Sequence, residues 1–226
     1  MQFTYLGHAC FQVTVGGKTL LFDPFISPNE LAKHIDVATI AADYVLVSHG
    51  HADHVADLVA IAQRTKAKVI ASWEVAEWAQ KQGIADVHPM NVGGKWQFSF
   101  GEVKCVVAQH SSGLPDGSYG GNPMGFIVST SEGNFYYSGD TALTLDMQLI
   151  PSWAKLSFAV LPIGDNFTMD VNDAVRAAEF VDCNKVIGVH YDTFGYIKID
   201  HEAAKQRFKS KNIDLLLPTI GTTISV

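Results

Sequence analysis

Apolar and polar residues alternate with a period of two over Phe3 to Leu6, Phe11 to Val15 and Thr19 to Phe22. This predicts three strands, and Gly16-Gly17 between the last two is the signal of a two-residue hairpin. After a loop holding Pro24 and Pro28, the apolar run Tyr44 to Val47 predicts a strand buried on both faces and ending at Ser48. The spacing then becomes helical, with Val55, Leu58, Val59 and Ala62 on one face of a helix that starts near Asp53. Lys68 to Ala71 predicts another strand, and Trp73 to Lys81 a helix closed by Gly83.

The second half repeats this order. Strands are predicted at Trp96 to Phe100, Val103 to Ala108, Phe126 to Thr130 and Phe135 to Ser138, with turns at Gly101 and Gly133. A buried strand (Phe158 to Leu161), a helix (Val171 to Val181), a strand (Val186 to Val189), a helix (His201 to Lys209) and strands at Leu215 to Leu217 and Thr222 to Val226 complete the chain. Twice, then, a β-rich stretch leads into alternating helix and strand. Two such units can bury their sheets face to face with helices outside, so the fold class expected is α+β, a four-layer αββα sandwich. No linker separates the halves, and residues 1–226 are read as one domain.

Composition narrows the function. Hydrophobic residues make up 47% and charged residues 17%, so a large core is expected and disorder is excluded. Sixteen basic against 23 acidic residues leave a formal charge of −7 with no basic run, which disfavours nucleic acid and anionic membranes as partners. No segment approaches the ~20 apolar residues of a membrane span, and the start MQFTYLGHACF does not read as a secretory signal. Cys10, Cys105 and Cys183 are odd in number and scattered, which argues against disulfides and thiolate zinc and for a reducing, cytoplasmic setting.

The chemistry is concentrated after the first buried strand, in Ser48-His49-Gly50-His51-Ala52-Asp53-His54. With nine histidines in 226 residues, this HxHxDH pattern arises by chance on the order of once in a thousand sequences. Neutral imidazole and carboxylate are the usual ligands of zinc and similar divalent ions, and packed near a strand end they would otherwise be hard to satisfy. His49 and His51, two apart in extended chain, can face one ion, while Asp53 and His54 at the helix start can face another. Four ligands crowd a single ion, so further ligands are expected. His110, Asp140 and His190 are the candidates, each just beyond a predicted strand.

The order HxHxDH, His, GDT, His on a duplicated αββα pattern resembles the metallo-β-lactamase superfamily. YLGHACF, LLFDPF and PIGDNFTM are similar to segments of the small bacterial metal-dependent hydrolases related to L-ascorbate-6-phosphate lactonase. The likeness covers essentially the whole chain. It implies that His49, His51 and His110 hold one metal, that Asp53, His54 and His190 hold a second, and that Asp140 bridges them. It also implies hydrolysis rather than redox chemistry, because di-iron oxygen-reducing relatives usually carry an acidic residue where His51 stands. Zinc is the default metal, and manganese, iron or nickel suit the same ligands.

Two ions about 3.5–4 Å apart can lower the pKa of a shared water from about 15.7 toward ~7, supplying hydroxide at neutral pH. The expected activity is hydrolysis of a small-molecule substrate, an anionic ester, lactone or phosphodiester, attracted by four positive charges in an acidic protein. The alternatives are a non-catalytic or redox di-iron protein on the same fold and a nuclease, the last lacking a basic exosite.

Asp53 and His8 are the candidate catalytic residues, His8 as proton donor or substrate contact. Asp23 either orients the metal loop or simply ends a strand. Asn122, Met124, Asp165, Asn166 and Thr168 are candidate pocket residues, and Tyr191 and Asp192 candidate supports. The loop Ser111 to Pro123 reads as a mobile rim. His34, His88 and His201 read as surface or helix-end groups. The tryptophans read as core or interface aromatics, with a homo-oligomer as one outcome.

Overall fold

The computed structural model describes residues 1–226. The first sheet grows from β1 (Gln2–Gly7), β2 (Cys10–Val15) and β3 (Lys18–Phe22), an antiparallel meander. Gly16 and Gly17 turn the hairpin with φ of 58° and 71°, the left-handed pair that a two-residue turn requires. Three parallel strands extend the sheet: β4 (Tyr44–Leu46), β5 (Lys68–Ser72) and β6 (Val87–Met90). Their crossovers carry α1 (Ala52–Val55), α2 (Leu58–Thr65) and α3 (Trp73–Lys81).

The second sheet repeats the plan. β7 (Lys95–Phe98), β8 (Gly101–Val107), β9 (Met124–Thr130) and β10 (Gly133–Tyr137) are antiparallel, and β11 (Phe158–Pro162), β12 (Lys185–Val189) and β13 (Asp214–Leu216) continue in parallel. α4 (Val171–Phe180) and α5 (His201–Lys209) fill its crossovers, capped by the carboxylates of Asp170 and Asp200.

The layers result from period-two alternation. Leu20, Phe22 and Leu46 point into a cluster shared with Phe126, Val128, Phe135 and Val160 of the other sheet, and this is the seam between the sheets. Leu21, Val45 and Val69 point the other way, onto Leu58, Ile61, Val75 and Ala79 of the helices. Ala159, Leu161 and Val186 meet Ala174, Val175, Ala178 and Phe208 on the opposite outer face. Three clusters between four layers confirm the αββα sandwich.

Four features differ from the expectation. The single helix starting near Asp53 is two, because Asp57 leaves the helical pattern. Its N–H donates to Pro24 O, and its carboxylate accepts from the Ile26 and Ser27 N–H groups and the Ser27 hydroxyl. Strand β6 was not foreseen. The final strand β14 (Thr223–Ser225) does not extend the second sheet; it crosses back to pair with β1 and cover the edge of the first. Trp73, Trp96 and Trp153 are about half exposed rather than core, with the Lys104 ammonium over the Trp153 ring. The three cysteines are free and buried, and no helix is long and apolar enough to cross a membrane.

Strands β1, β3, β4, β8, β10 and β12 all run toward one edge of the sandwich, so the loops leaving their C-terminal ends are gathered there.

Candidate metal centre

His8 lies just after β1, Asp23 after β3, His49 to His54 after β4, His110 after β8, Asp140 after β10 and His190 after β12. Three of these strand ends reverse through left-handed backbone, His8 at φ 54°, Asp23 at 42° and His190 at 56°. Such conformations cost on the order of 1–3 kcal/mol each and persist where the surroundings over-determine them. Here main-chain bonds join the two sheets at the site: His190 N–H donates to His8 O at 2.9 Å and Met124 N–H to Ser48 O at 3.0 Å.

The buried carboxylate of Asp23 organises the floor. Oδ1 accepts from Ser48 N–H at 2.7 Å, and Oδ2 accepts from the Ser48 hydroxyl at 2.6 Å, the Tyr137 hydroxyl at 2.6 Å and His54 Nδ1 at 2.8 Å. The Ser48 proton is thereby committed to Asp23, so Ser48 Oγ accepts from His49 Nδ1 at 2.9 Å. Both histidines therefore carry hydrogen on Nδ1 and turn Nε2 to the site, the orientation a metal ligand needs. Of the two readings of Asp23 open in the sequence, the geometry selects the orienting one. Replacing Asp23 with Asn removes the acceptor shared by three donors and frees His54 to take the other tautomer. Metal affinity, read by competition with a chromophoric chelator, is expected to fall about 10- to 100-fold; an affinity within twofold of the parent would refute this role.

The seven predicted ligands converge. Ligand atoms of His49, His51 and His110 lie within 4.8 Å of one another, and so do those of Asp53, His54, His190 and His8. Asp140 Oδ2 stands between the groups, 4.0 Å from His49 Nε2 and 3.7 Å from His110 Nε2 on one side, and 3.2 Å from His54 Nε2 and 3.0 Å from His190 Nε2 on the other. His54 Nε2 is buried without a hydrogen-bond partner, facing the carboxylates of Asp140 and Asp53. His49 Nε2 lies 3.0 Å from His51 Nδ1. Imidazole nitrogens gathered round two carboxylates are an arrangement that cations satisfy, and the residues fit divalent metal.

The electrostatics agree. Burial pushes the Asp140 carboxyl up, but the surrounding charge of His190 and His54 outweighs it and holds the group well below the usual carboxylate range. His54 shows the converse: burial lowers it, and Asp140 and Asp23 raise it well above an ordinary histidine. Burial also drives His49 well below the ordinary value.

His8 sits behind Asp53, 1% exposed and outside the cleft lining. Burial, helped by His190, pulls it down to about 4 against the opposing pull of Asp53, so the ring is neutral. Its Nε2 lies 3.0 Å from Asp53 Oδ2, and its Nδ1 lies 3.0 Å from the Thr193 hydroxyl. The neutral ring donates through Nε2 and accepts through Nδ1, which makes His8 a brace for Asp53.

Asp53 is partly open to a cleft of about 960 Å³ whose wall also includes His51, His110, Asp140, His190 and Ser111. Of the candidate pocket residues, Asn122, Met124, Asp165, Asn166 and Thr168 do not line it, and Met124 is core. The rim loop touches the cleft through Ser111 and is held behind it, with Ser112 Oγ accepting from Gly50 N–H and the Ser72 hydroxyl donating to Gly120 O. Asp192 bonds no candidate ligand; its carboxylate accepts from Ile199 N–H and pairs with His201, read as a helix-end group, at 2.7 Å. The aromatic wall of Phe25, Phe194 and Tyr196 was not foreseen, since loop residues carry no periodicity.

A family profile described as the beta-lactamase superfamily domain matches residues 18–191. A UPF0173 metal-dependent hydrolase of Flavobacterium johnsoniae is 50% identical over 226 residues, covering all of both chains. One from Thermus thermophilus is 42% identical over 214 residues, 95% of this chain and 94% of its own. The metallo hydrolase Igni18 of Ignicoccus hospitalis superposes with a TM-score of 0.88 at 30% identity, over 99% of this chain and 97% of its own. With its two-sheet sandwich, its converging histidines and aspartates and these full-length relatives, the chain belongs to the UPF0173 metal-dependent hydrolases of the metallo-β-lactamase superfamily.

Proposed function

We propose that the protein is a dinuclear hydrolase of small esters, lactones or phosphodiesters. The observation that carries this reading is the position of Asp140 Oδ2, one carboxylate oxygen facing two histidines of each ligand group. His49, His51 and His110 would hold one ion, Asp53, His54 and His190 the other, and Asp140 both, with zinc the default and manganese, iron or nickel able to replace it. Such a pair supplies an activated water and polarises the oxygen of the scissile group.

The chain's own residues do the rest. Asp23 and Ser48 fix the histidine tautomers, and His8 fixes the face Asp53 presents. Burial raises the Asp53 carboxyl, but the His8 hydrogen bond and the charge of His54 outweigh it, so Asp53 is ionised, the form in which a carboxylate binds a metal. His8, sealed from the cleft, acts through Asp53 and does not touch substrate. Seven ligands for two ions leave positions open for water and substrate, unlike a closed structural site. The buried free thiols suit a reducing cytoplasm.

Elemental analysis of purified protein is expected to give two metal ions per chain. A panel of ester, lactone and bis(p-nitrophenyl) phosphate is expected to show turnover that chelator abolishes. One ion per chain, or no turnover with both ions bound, would overturn the reading.

A further inference from the structure

The cleft over the ligand cluster is walled on one side by Phe25, Phe167, Phe194 and Tyr196, and none of its fourteen lining residues is Lys or Arg. Phe167 is 49% exposed and Tyr196 79%, an aromatic cluster open to solvent beside the histidine and aspartate cluster. The rings are organised: Phe194 stands edge-on to His8 at 5.3 Å and 6.2 Å from Phe25, while Phe167 meets Tyr196 edge-on at 6.3 Å.

Hydrogen-bonded turns hold them there. Asp165 and Asn166, consecutive and both left-handed at φ 63° and 53°, turn the chain immediately before Phe167, and Asp165 N–H closes the turn on Met169 O. Asp192, left-handed at φ 63°, closes the other loop with its N–H on Ile197 O, while its carboxylate accepts from Ile199 N–H and binds His201.

We infer that the substrate carries an uncharged aromatic arm that lies against this wall while its ester or lactone group faces the ligand cluster. The inference rests on the dinuclear reading above and specifies the substrate for it. Two divalent ions would bring four positive charges, which Asp23, Asp53 and Asp140 with the attacking hydroxide would offset. With no lysine or arginine in the wall, the site has no surplus for an anionic substituent. A neutral substrate then replaces the anionic one expected from the four positive charges of two metal ions. An aryl group gains most from such a wall, through burial and edge-to-face contact.

The test uses methyl esters with one leaving group and three acyl arms, methyl phenylacetate, methyl acetate and monomethyl succinate, with the metal-loaded protein in a pH-stat. Relative kcat/KM is expected to favour phenylacetate over succinate by about 10-fold or more. The paired variant Phe167→Ala/Tyr196→Ala, whose parent side chains are exposed enough to spare the core, should lose most of that preference and change methyl acetate little. Titration calorimetry with the uncleavable 2-phenylacetamide and succinamate reads the same preference as affinity, without turnover. Silence of all three esters together with preferential binding of phenylacetamide supports the aromatic arm while counting against the hydrolase reading. Equal or better use and binding of the succinyl compounds overturns the inference. So does a dimeric parent that the paired variant makes monomeric, which would assign the aromatics to a subunit contact.

Discussion

Replacing Asp140 with Ala is expected to lower hydrolysis at least about a thousandfold and to reduce the bound metal below two ions per chain. Asp140 Oδ2 approaches Nε2 of four histidines within 4.0 Å, two in each ligand group. Removing it separates the two halves of the site and exposes each half to the other's positive charge. A loss of several kcal/mol of charge stabilisation corresponds to a rate effect of about this size. The variant should fold, since Asp140 lies beyond β10 and its carboxylate carries no main-chain bond of that strand. Metal analysis and kcat/KM on the same sample form the check. An unchanged rate with two ions retained would refute the bridging role.

How much of this was legible in the letters depends on the range of the interaction. Leu20, Leu21 and Phe22 announce their strand because neighbouring side chains on one strand must part to opposite faces, and the seam and outer layer take them accordingly. His49 to His54 are legible for another reason: their chemistry is improbable in any other setting. Strand β6 was illegible because three of Val87, His88, Pro89 and Met90 are not buried and leave no alternation. The helix break at Asp57 depends on donors around Ile26, thirty residues away, and β14 depends on the free edge of β1. The left-handed turns that aim Phe167, Phe194 and Tyr196 at the cleft have no signature in single residues, because Asp and Asn adopt them throughout surface loops.

The duplication explains one ambiguity that the sequence left open. Asp23 comes after β3 of the first sheet as Asp140 comes after β10 of the second, and both strands end a meander and begin a parallel run. The two aspartates hold equivalent places in the two halves. One is fully occupied by four protein donors, and the other lies against bare imidazole nitrogens. Equivalent positions thus differ in use: Asp23 sets histidine tautomers, and Asp140 faces the histidine Nε2 atoms, where the proposed function makes it a ligand.

Stripping the metal is expected to destabilise the fold as well as silence the enzyme. Without ions, the charges of Asp140 and Asp23 are met in the interior by His54, raised above the ordinary histidine range by them, and the remaining histidines face one another across the site. An ion bound to the native state alone, at a free concentration about 1,000 times its Kd, contributes about 4 kcal/mol. In a chain of 226 residues each kcal/mol moves Tm by about 2–4 °C, so chelation should lower Tm by on the order of 10 °C. Scanning calorimetry of loaded and stripped protein measures this, and restoring zinc or manganese should recover the loss. The same comparison on Asp140→Ala should show a much smaller drop, because that variant has less metal to lose. A Tm indifferent to chelator, in protein shown to have lost two ions, would mean that the cluster is stable without cations and that ion binding does not stabilise the fold.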